Sequence, residues 1–512
     1  MPSRVLGLIA INDVYSLANL PRLASLIAHH RKHTAADRWL IVVAGDFIAP
    51  SVLSSLDGGR HMVAALNALG CTHAIFGNHE DDVSPSELAA RVREFNGTWL
   101  GTNVSGFSVP LAVSDVVDVG GVRVGLVGAV MNDADIYRRP PFGGVQLEAP
   151  ATAIEREARR LRAEGCQTVI ALTHQWIAQD RALAATQAVP LIIGGHEHDP
   201  YLEHAGQCII TKSGHDAIEA AIITVTLGAT PHVDVRREAV ASYPVDPALE
   251  RIVDDAKALV ERLAGAVLVQ GLPEPLSSKG ARSRQVSMGT FVCRILREAL
   301  DAEVAVFNGG GLRGSAVHET RLTFGDVLEE LPFDNEIVTA LLPGRVLREA
   351  VAFSRRRAPA GDGGFLQVDD RTTLAPDGKI LVEVAGVPLD EARVYRTAVP
   401  RAHLLGLDRL APFEQYTKQH PRAVPPAGSG RPPRLILLET LARARLEALG
   451  GFEAVDTDGD GRVTHRDLGQ AMTREGVVPS EATVKLVLDT LDTNHDQVLT
   501  PDELAEARRR GT

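Results

Sequence analysis

The chain has 512 residues, a formal net charge of −12, 45% hydrophobic residues and 23% charged residues. This length allows two or three domains with a sizeable core, and the composition is ordinary for a globular protein. The negative net charge argues against an extended nucleic-acid-binding surface. The sequence contains no apolar run of about 18 residues that would span a membrane and no recognisable secretory signal, so we expect a cytoplasmic protein.

The early part of the chain, residues 1–240, alternates β-branched runs with helix-like stretches. The strand candidates are "WLIVVAGD", "HAIFGN", "RVGLVGAV", "TVIALTH" and "LIIGGH". This alternation predicts an α/β domain with sheets flanked by helices, whose strands present residues at their C-terminal ends. The four cysteines are far apart and form no metal-binding pair, so we expect reduced thiols in the core: Cys71, Cys166, Cys208 and Cys293.

The rest of the chain divides into four segments. Apolar residues at helical spacing between Asp246 and Val267 predict a connecting helix within residues 241–270. A second α/β domain is expected over 271–420, a Pro/Gly-rich linker over 421–433, and an all-α unit with two acidic loops over 434–512. The predicted fold class is therefore multidomain.

Metal-compatible side chains follow five of the apolar runs. They are Asp13, Asp46, Asn78 with His79, His174, and His196 with His198. Two divalent ions about 3.5–4 Å apart can clamp the attacking and leaving oxygens of a phosphate ester, and one carboxylate, here Asp46, can bridge them. Mixed carboxylate, amide and imidazole ligands suit Zn, Mn, Fe or Co.

The stretch "INDVYS" is unusual because the next ligand, two residues after Asp13, would usually be a histidine, and here it is Tyr15. A phenol has an ordinary pKa near 10 and binds a metal well only when the ion lowers that pKa. Phenolate ligation would favour a harder ion such as iron. A neutral Tyr15 would instead leave one ion a ligand short and act from the pocket wall. The sequence leaves both possibilities open.

The residue set resembles the 5'-nucleotidase branch of the calcineurin-like metallophosphoesterases, over roughly residues 4–415. The resemblance implies Asp13 and His198 on one ion, Asn78, His174 and His196 on the other, and Asp46 as the bridge. It also implies that His79 stabilises the transition state or protonates the leaving oxygen, and that Asp82 orients His79.

The second α/β domain carries further motifs of the same family. "NGGGLRGS", "RQVSMGTF", "LPFDNEIV" and "GGFLQV" resemble its C-terminal domain. The implied substrate-binding residues are Arg284, Asn308, Arg313 and the base-stacking Phe365, with Phe413 as a second stacking aromatic. The family's late Gly-Gly-Asp-Gly-aromatic stretch is largely replaced here by "YRTAVPRAHLLGLDRLAPFEQY". A sugar or sugar-diphosphate substrate is therefore credible beside a nucleotide.

Two acidic loops near the end have EF-hand spacing. The expected Ca²⁺ ligands are Asp456, Asp458, Asp460, Arg462 and Asp467 in the first loop, and Asp492, Asn494, Asp496, Val498 and Glu503 in the second. Position 8 is Val463 in one loop and Leu499 in the other, which predicts a short strand pairing between the loops. Asp467 is one methylene shorter than the usual Glu, and Gln497 occupies the usual Gly position, where we expect backbone strain.

Together these features predict a dimetal phosphohydrolase that releases phosphate from nucleotides or related esters by attack of a metal-activated hydroxide. One alternative is a phosphoesterase acting on UDP-sugars, cyclic nucleotides or sugar phosphates. Another is a Ca²⁺-binding protein with a catalytically degenerate phosphatase domain. The expected partner is a small phosphate ester, with no nucleic acid or membrane, and the sequence does not indicate the oligomeric state.

Overall fold

The computed structural model describes residues 4–133, 136–137, 141–228, 230–474 and 479–510. The chain forms two compact units, residues 1–258 and residues 259–512, and each is described by itself. Within the described residues no helix is both long and apolar enough to cross a membrane. All four cysteines are buried and free, as predicted.

Unit 1 is built on two six-stranded sheets. The strands of the first are β1 (Arg4–Ile11), β2 (Arg38–Val43), β3 (His73–Ile75), β4 (Thr98–Leu100), β13 (Glu219–Leu227) and β14 (His232–Ala239). The strands of the second are β6 (Ser114–Val119), β7 (Val122–Val130), β9 (Thr168–His174), β10 (Leu191–Gly195), β11 (Tyr201–Ala205) and β12 (Cys208–Lys212). A short pair, β5 (Val104–Ser105) and β8 (Gln146–Leu147), lies outside them.

The strand order is β14-β13-β1-β2-β3-β4 in the first sheet and β11-β12-β10-β9-β7-β6 in the second. The central neighbours β1, β2, β3 and β4 run parallel, as do β7, β9, β10 and β12. One apolar cluster joins the two sheets face to face, with Leu8 and Val42 from the first and Leu126 and Leu172 from the second. The result is a sandwich whose parallel strands end at a common edge.

Helices cover the outer faces of this sandwich. They are α1 (Leu20–His33), α2 (Val52–Asp57), α3 (Arg60–Leu69), α4 (Pro85–Glu94), α5 (Pro150–Ala163) and α6 (Ile177–Ala185). Helix α1 buries Leu20, Leu23, Leu26 and Ile27 in one outer cluster, since these positions share one helical face. Helix α7 (Pro247–Leu263) crosses the boundary between the units, close to the predicted connecting helix.

The first element of unit 2 after α7 is β15 (Val267–Gln270), so the last part of the predicted connecting segment is a strand. The remaining elements up to residue 419 are β16 (Leu276–Ser277), α8 (Ser287–Ala299), β17 (Val304–Asn308), β18 (Val317–His318), β19 (Arg321–Thr323), α9 (Phe324–Glu330), β20 (Ile337–Pro343), α10 (Gly344–Ser354), β21 (Leu366–Val368), β22 (Thr372–Leu374), β23 (Leu381–Val384), β24 (Val387–Pro388), β25 (Val394–Pro400), α11 (Arg401–Leu404) and α12 (Ala411–Gln419). Its main sheet has the order β20-β25-β17-β21.

The helical end of unit 2 contains α13 (Pro433–Ala448), α14 (Phe452–Val455), β26 (Val463–Thr464), α15 (His465–Arg474), α16 (Glu481–Leu491), β27 (Val498–Leu499) and α17 (Pro501–Arg510). Strands β26 and β27 pair antiparallel with Val463 opposite Leu499, which confirms the predicted pairing between the loops.

Helix α13 joins this helical pair to the rest of unit 2. It packs against α16 of the helical pair and also against α8, α9 and β15. The predicted linker before it is also attached, because Ile337 and Arg431 exchange backbone hydrogen bonds of 2.8 and 3.1 Å. Two α/β regions and a helical pair are thus present, as predicted, but the pair is part of a larger packed unit.

Candidate metal centre and substrate groups

The predicted ligands in unit 1 come together because they follow parallel strands. Asp13 lies just after β1, Asp46 after β2 and Asn78 after β3, while His174 ends β9 and His196 follows β10. Parallel strands place their carboxyl ends at one edge of a sheet, and the two stacked sheets bring these edges together. Residues separated by more than 180 positions therefore meet, as shown by the 2.9 Å hydrogen bond from the His196 N–H to Asp13 Oδ2.

Three of these residues have left-handed backbone conformations. The φ angles are 53° at Asp13, 55° at Asp46 and 87° at His196. Such angles are uncommon outside glycine and cost free energy, so they persist where the surroundings enforce them, often at functional sites. The surrounding structure therefore holds the backbone after these strands in conformations that direct the three side chains towards one another.

Glycine precedes the ligands where the loops approach most closely. A Cβ added at Gly77 would lie 2.1 Å from Asp46 Oδ1, and one added at Gly195 would lie 2.3 Å from the Ala44 carbonyl oxygen. Both distances are too short for any side chain, so the loops can meet only because these positions lack a Cβ.

A donor cluster lies at the centre of this edge. Ligand atoms of Asp46, His174 and His196 all fall within 4.8 Å of one another, and all three residues are buried. The Nε2 atom of His196 is buried without a hydrogen-bond partner among the described residues, and that of His174 faces Asp46 Oδ2, 3.0 Å away. Buried polar atoms are normally satisfied, so an unsatisfied imidazole nitrogen beside a second imidazole and a carboxylate fits a bound metal ion.

Neighbouring groups orient these imidazoles. His174 Nδ1 lies 2.7 Å from the Ala44 carbonyl oxygen, which directs Nε2 towards Asp46 Oδ2, 3.0 Å away. His196 Nδ1 lies 3.1 Å from Asn78 Oδ1, and the Trp176 ring packs edge-on against it with centroids 4.0 Å apart. Contacts of this kind fix the orientation of metal-binding histidines, and a carbonyl acceptor such as that of Ala44 also fixes the tautomer.

Burial and close charges shift the pKa values of several residues in this cluster. Burial raises the pKa of Asp13 to about 7, although the nearby His174 opposes the effect. Burial alone would lower the pKa of His174, but Asp46 and Asp13 raise it to about 9. Burial and repulsion from His174 hold the pKa of His196 well below its ordinary value. Carboxylates packed this tightly are stabilised by added positive charge, which a divalent ion supplies.

On the first-ion side, the Tyr15 hydroxyl lies among the expected ligands. It is 3.3 Å from Asp13 Oδ1, 3.3 Å from Asp46 Oδ2 and 3.2 Å from His198 Nε2. His198 Nε2 lies 3.7 Å from Asp13 Oδ1, on a side chain that is half exposed. The residue that departs from the expected pattern thus lies inside the site.

The predicted catalytic pair is also assembled. His79 Nδ1 lies 2.7 Å from Asp82 Oδ2, and the His79 backbone N–H donates to Asp46 Oδ1 over 2.8 Å. The imidazole is buried, whereas the carboxylate of Asp82 is about one-third exposed. This contact fixes the orientation of the His79 ring, which is the role predicted for Asp82.

Sequence reasoning missed two supporting groups. The buried Glu80 carboxylate accepts from the backbone N–H groups of Asp46, Phe47, Ile48 and Gly77, and so fixes the loop after β2. Its only sequence signal is its position beside His79 in "GNHEDD".

The second missed group is a buried lysine behind the "HEH" loop. Lys212 Nζ lies 2.9 Å from Asp180 Oδ2, pairs with Glu197, and donates to the carbonyl oxygens of Gln175 and Gly195, each over 2.7 Å. Since Glu197 stands between His196 and His198, this network holds the backbone that carries both histidines.

In unit 2 the predicted polar substrate residues lie on loops around β17. Arg284 and Arg313 are exposed. Asn308 Nδ2 donates to Asp408 Oδ2 over 3.1 Å, and His403 Nε2 lies 3.0 Å from the same oxygen. His403 and the Asn308 hydrogen bond lower the pKa of Asp408. The sequence analysis did not predict Asp408. It could have been found from "GLD", residues 406–408, which keeps one glycine and the aspartate of the family's Gly-Gly-Asp-Gly-aromatic stretch.

The two aromatic residues predicted to stack on a base, Phe365 and Phe413, are both buried. Phe413 is 0% exposed in the core of unit 2, so it has no face for a ligand and its predicted stacking role is wrong. Phe365 is 3% exposed, with the Arg355 guanidinium 4.6 Å from its ring centroid, so it presents no open face here either. By contrast, Phe333 in the motif "LPFDNEIV" is 41% exposed, and its ring centroid lies 5.0 Å from the Arg313 guanidinium.

The acidic loops have the expected local geometry. Asp456, Asp458 and Asp460 bring carboxylate oxygens within 4.8 Å of one another. In both loops the first aspartate accepts the backbone N–H of the sixth residue, Gly461 at 2.9 Å and Gln497 at 2.7 Å. Gln497 has a φ of 68°, so the predicted strain at this position is present. The Thr464 and Thr500 N–H groups donate to Asp467 and Glu503 at the loop ends.

Three family models match the chain. Residues 7–200 match the calcineurin-like phosphoesterase family, residues 265–415 the 5'-nucleotidase C-terminal domain, and residues 447–508 the EF-hand domain pair. These families imply divalent metal ions in the first region and Ca²⁺ in the last.

Known proteins are similar at low identity. Endonuclease YhcR of Bacillus subtilis is 24% identical over 61% of this chain, which spans only 28% of that protein's length. The 5'-nucleotidase of Bos taurus is 23% identical over 70% of each chain. The structure of the NAD nucleotidase of Haemophilus influenzae has a TM-score of 0.69 at 16% identity, with 85% of this chain and 96% of that chain covered, and therefore supports the fold. Taken with the geometry above, the chain combines a calcineurin-like phosphoesterase domain, a 5'-nucleotidase C-terminal domain and an EF-hand pair.

Proposed function

We propose that the chain is a dimetal phosphohydrolase that releases phosphate from nucleotides or related phosphate esters. The observation that carries this proposal is the buried donor cluster of Asp46, His174 and His196, in which His196 Nε2 has no hydrogen-bond partner among the described residues, beside the His79–Asp82 pair. The proposed ligands are Asp13, Asp46 and His198 for one ion, and Asp46, Asn78, His174 and His196 for the other. When bound, two such ions activate water and stabilise charge on the phosphate.

In this proposal the chain's own side chains position and protonate. Asp82 holds the His79 imidazole at Nδ1, so that Nε2 stabilises the charged phosphate or donates a proton to the leaving oxygen. The His79 N–H also anchors Asp46, which couples the acid to the bridging carboxylate. Gly77 permits the close approach to Asp46 that this coupling requires.

The substrate class rests on unit 2. We propose that Asn308 and Asp408 bind sugar hydroxyls, because the buried Asn308 amide holds a carboxylate that can accept further hydrogen bonds. Arg284 and Arg313 are exposed cations suited to phosphate.

The exposed Phe333 is a better candidate for base stacking than the buried Phe365 or Phe413. Phosphate esters of nucleosides fit these groups, and UDP-sugars or sugar phosphates remain the alternatives. The cytoplasmic location remains a prediction.

The test combines metal analysis with phosphate release by the full chain. We expect about two transition-metal ions per chain and phosphate release from at least one of a panel of 5'-nucleotides, UDP-sugars, cyclic nucleotides and sugar phosphates. His79→Ala should lower kcat by about 10²–10⁴-fold, the usual contribution of a general acid or base. His204→Ala, at an exposed histidine of β11, is the matched control and should retain activity.

The competing hypothesis is a Ca²⁺-binding protein whose phosphatase domain has lost catalysis, and Tyr15 motivates it. Absence of phosphate release from the whole panel, with Mn²⁺ or Co²⁺ supplied and Ca²⁺ binding intact, would favour that hypothesis. For the base, Phe333→Ala should raise KM for nucleotides more than for sugar phosphates, whereas equal effects on both would rule out stacking.

A further inference from the structure

We propose that Tyr15 is an oxygen ligand of the first metal ion and makes this position select Fe³⁺, beside a divalent ion at the second. This inference rests on the dimetal centre of the proposed function. It assigns a definite role to the residue that departs from the expected histidine.

The distances around the Tyr15 hydroxyl are those of neighbouring ligands on one ion. Two donor atoms that are each about 2.0–2.2 Å from a metal lie about 2.8–3.6 Å apart at octahedral or tetrahedral angles. The Tyr15 oxygen lies 3.3 Å from Asp13 Oδ1, 3.3 Å from Asp46 Oδ2 and 3.2 Å from His198 Nε2. The phenol is therefore at ligand spacing from three expected ligands at once.

The backbone holds the phenol in this position. The N–H groups of Tyr15 and Ser16 both donate to Asp216 Oδ1, over 2.9 and 3.0 Å, and the Asp216 N–H donates to the Asp13 carbonyl oxygen over 2.8 Å. The ring lies beside the imidazoles of His79 and His198, with centroids 6.1 and 5.5 Å away. A turn that is fixed at both Asp13 and Tyr15 presents the two side chains as a preformed pair.

The two ion positions then differ in charge and hardness. Asp13, Asp46 and a Tyr15 phenolate give the first position three anionic oxygens and the single imidazole of His198. The second position has the neutral donors Asn78, His174 and His196 and shares only Asp46. Anionic oxygen donors suit a hard trivalent ion, whereas imidazole and amide donors suit a divalent transition metal. The structure thus points to a mixed Fe³⁺–M²⁺ centre.

The alternative role is a neutral Tyr15 that only donates a hydrogen bond to Asp13 or Asp46. Both roles are compatible with the 3.3 Å separations, but they differ spectroscopically. A phenolate bound to Fe³⁺ gives a visible charge-transfer absorption and enhanced tyrosinate ring vibrations in the Raman spectrum. A neutral phenol beside the ion gives neither.

The experiment uses the full chain loaded with Fe³⁺ and Zn²⁺, followed by metal analysis and visible absorption with resonance Raman. We expect a visible band in the native protein and in Tyr243→Phe, a matched control whose hydroxyl donates to Glu238. The band should be lost in Tyr15→Phe and in Tyr15→His. Iron binding in Tyr15→Phe should weaken about tenfold or more, since even outer contacts of metal ligands have effects of that size.

Three results would overturn the inference. They are a native protein that binds no iron, bound iron without the band, and a band that persists in Tyr15→Phe. Tyr15→His serves as the second variant if Tyr15→Phe fails to fold. The spectra need no turnover, so a protein that shows the band but releases no phosphate would contradict the proposed function and leave the assignment of Tyr15 standing.

Discussion

The chain has two kinds of candidate metal site, and they are constructed in opposite ways. Each EF-hand loop draws its ligands from twelve successive residues, 456–467 or 492–503, and several of these side chains are exposed. The unit 1 centre draws its ligands from residues 13 to 198, and most of them are buried. The loops depend on local backbone geometry, whereas the unit 1 centre depends on two sheets, close glycine contacts and buried supporting networks.

This difference shows where each site is vulnerable. A loop is sensitive to residues that set its own turn, such as Gln497. The unit 1 centre is sensitive to residues that never touch a metal, such as Gly77, Glu80 and Lys212. The EF-hand pair is nevertheless not isolated, because α13 buries apolar residues along its length and packs on both the pair and the sheet-bearing part of unit 2.

The largest expected effect is at the bridging carboxylate. Asp46→Asn keeps the shape of the side chain but removes the charge shared by both ions. We expect kcat to fall on the order of 10³-fold, corresponding to the several kcal/mol that metal-based charge stabilisation supplies. Metal analysis should show loss of transition metal with Ca²⁺ retained. The exposed Asp234→Asn is the control, and wild-type turnover in Asp46→Asn would remove Asp46 from the centre.

The next effect tests the buried support of the unit 1 centre. Lys212→Met leaves the buried carboxylate of Asp180 and the partly buried carboxylate of Glu197 without their cation, so the free energy of unfolding should fall by about 3–5 kcal/mol. Urea denaturation measures this change. Arg181→Met breaks only the exposed pair with Glu203 and should have a much smaller effect. Equal losses in the two variants would show that the buried network gives no special support.

Calcium removal tests the claim that the EF-hand pair is part of unit 2. Because Ca²⁺ binds the folded loops, free Ca²⁺ at 100 times its Kd should stabilise unit 2 by about 2.7 kcal/mol for each bound ion, or about 5.4 kcal/mol for two ions, relative to the chelated protein. Thermal unfolding in Ca²⁺ and in a Ca²⁺-specific chelator, at constant transition metal, measures this difference. Asp458→Ala should reduce bound Ca²⁺ from two ions to one. An unchanged Tm in the chelator would mean that the loops are energetically independent of unit 2.

The smallest effect concerns a single turn. Gln497→Gly removes a side chain from a position with a φ of 68° and should relieve about 1 kcal/mol of strain, which is about fivefold in Ca²⁺ affinity for the second loop. Calorimetric titration measures it. Gln470→Gly, in the interior of α15, is the control and should destabilise that helix instead. A weaker second site in Gln497→Gly would show that the side chain helps to hold the loop.

The sequence alone determined the local parts of this protein. The EF-hand spacing, the pairing of Val463 with Leu499, and the order of ligand-type residues after apolar strands were all readable, because each depends on neighbours in the chain. The helix near 247–263 followed from its apolar period. Family motifs also predicted the residue types of the substrate loops.

Only the tertiary structure decided which atoms meet. It brought the Tyr15 hydroxyl within 3.3 Å of Asp13 and Asp46, buried Phe413 and Phe365, and exposed Phe333. It also placed Asp408 against Asn308 and Lys212 behind the "HEH" loop. The physical reason is that strand periodicity fixes the face on which a side chain lies, whereas its neighbours across sheets depend on how the sheets stack, which no local pattern encodes.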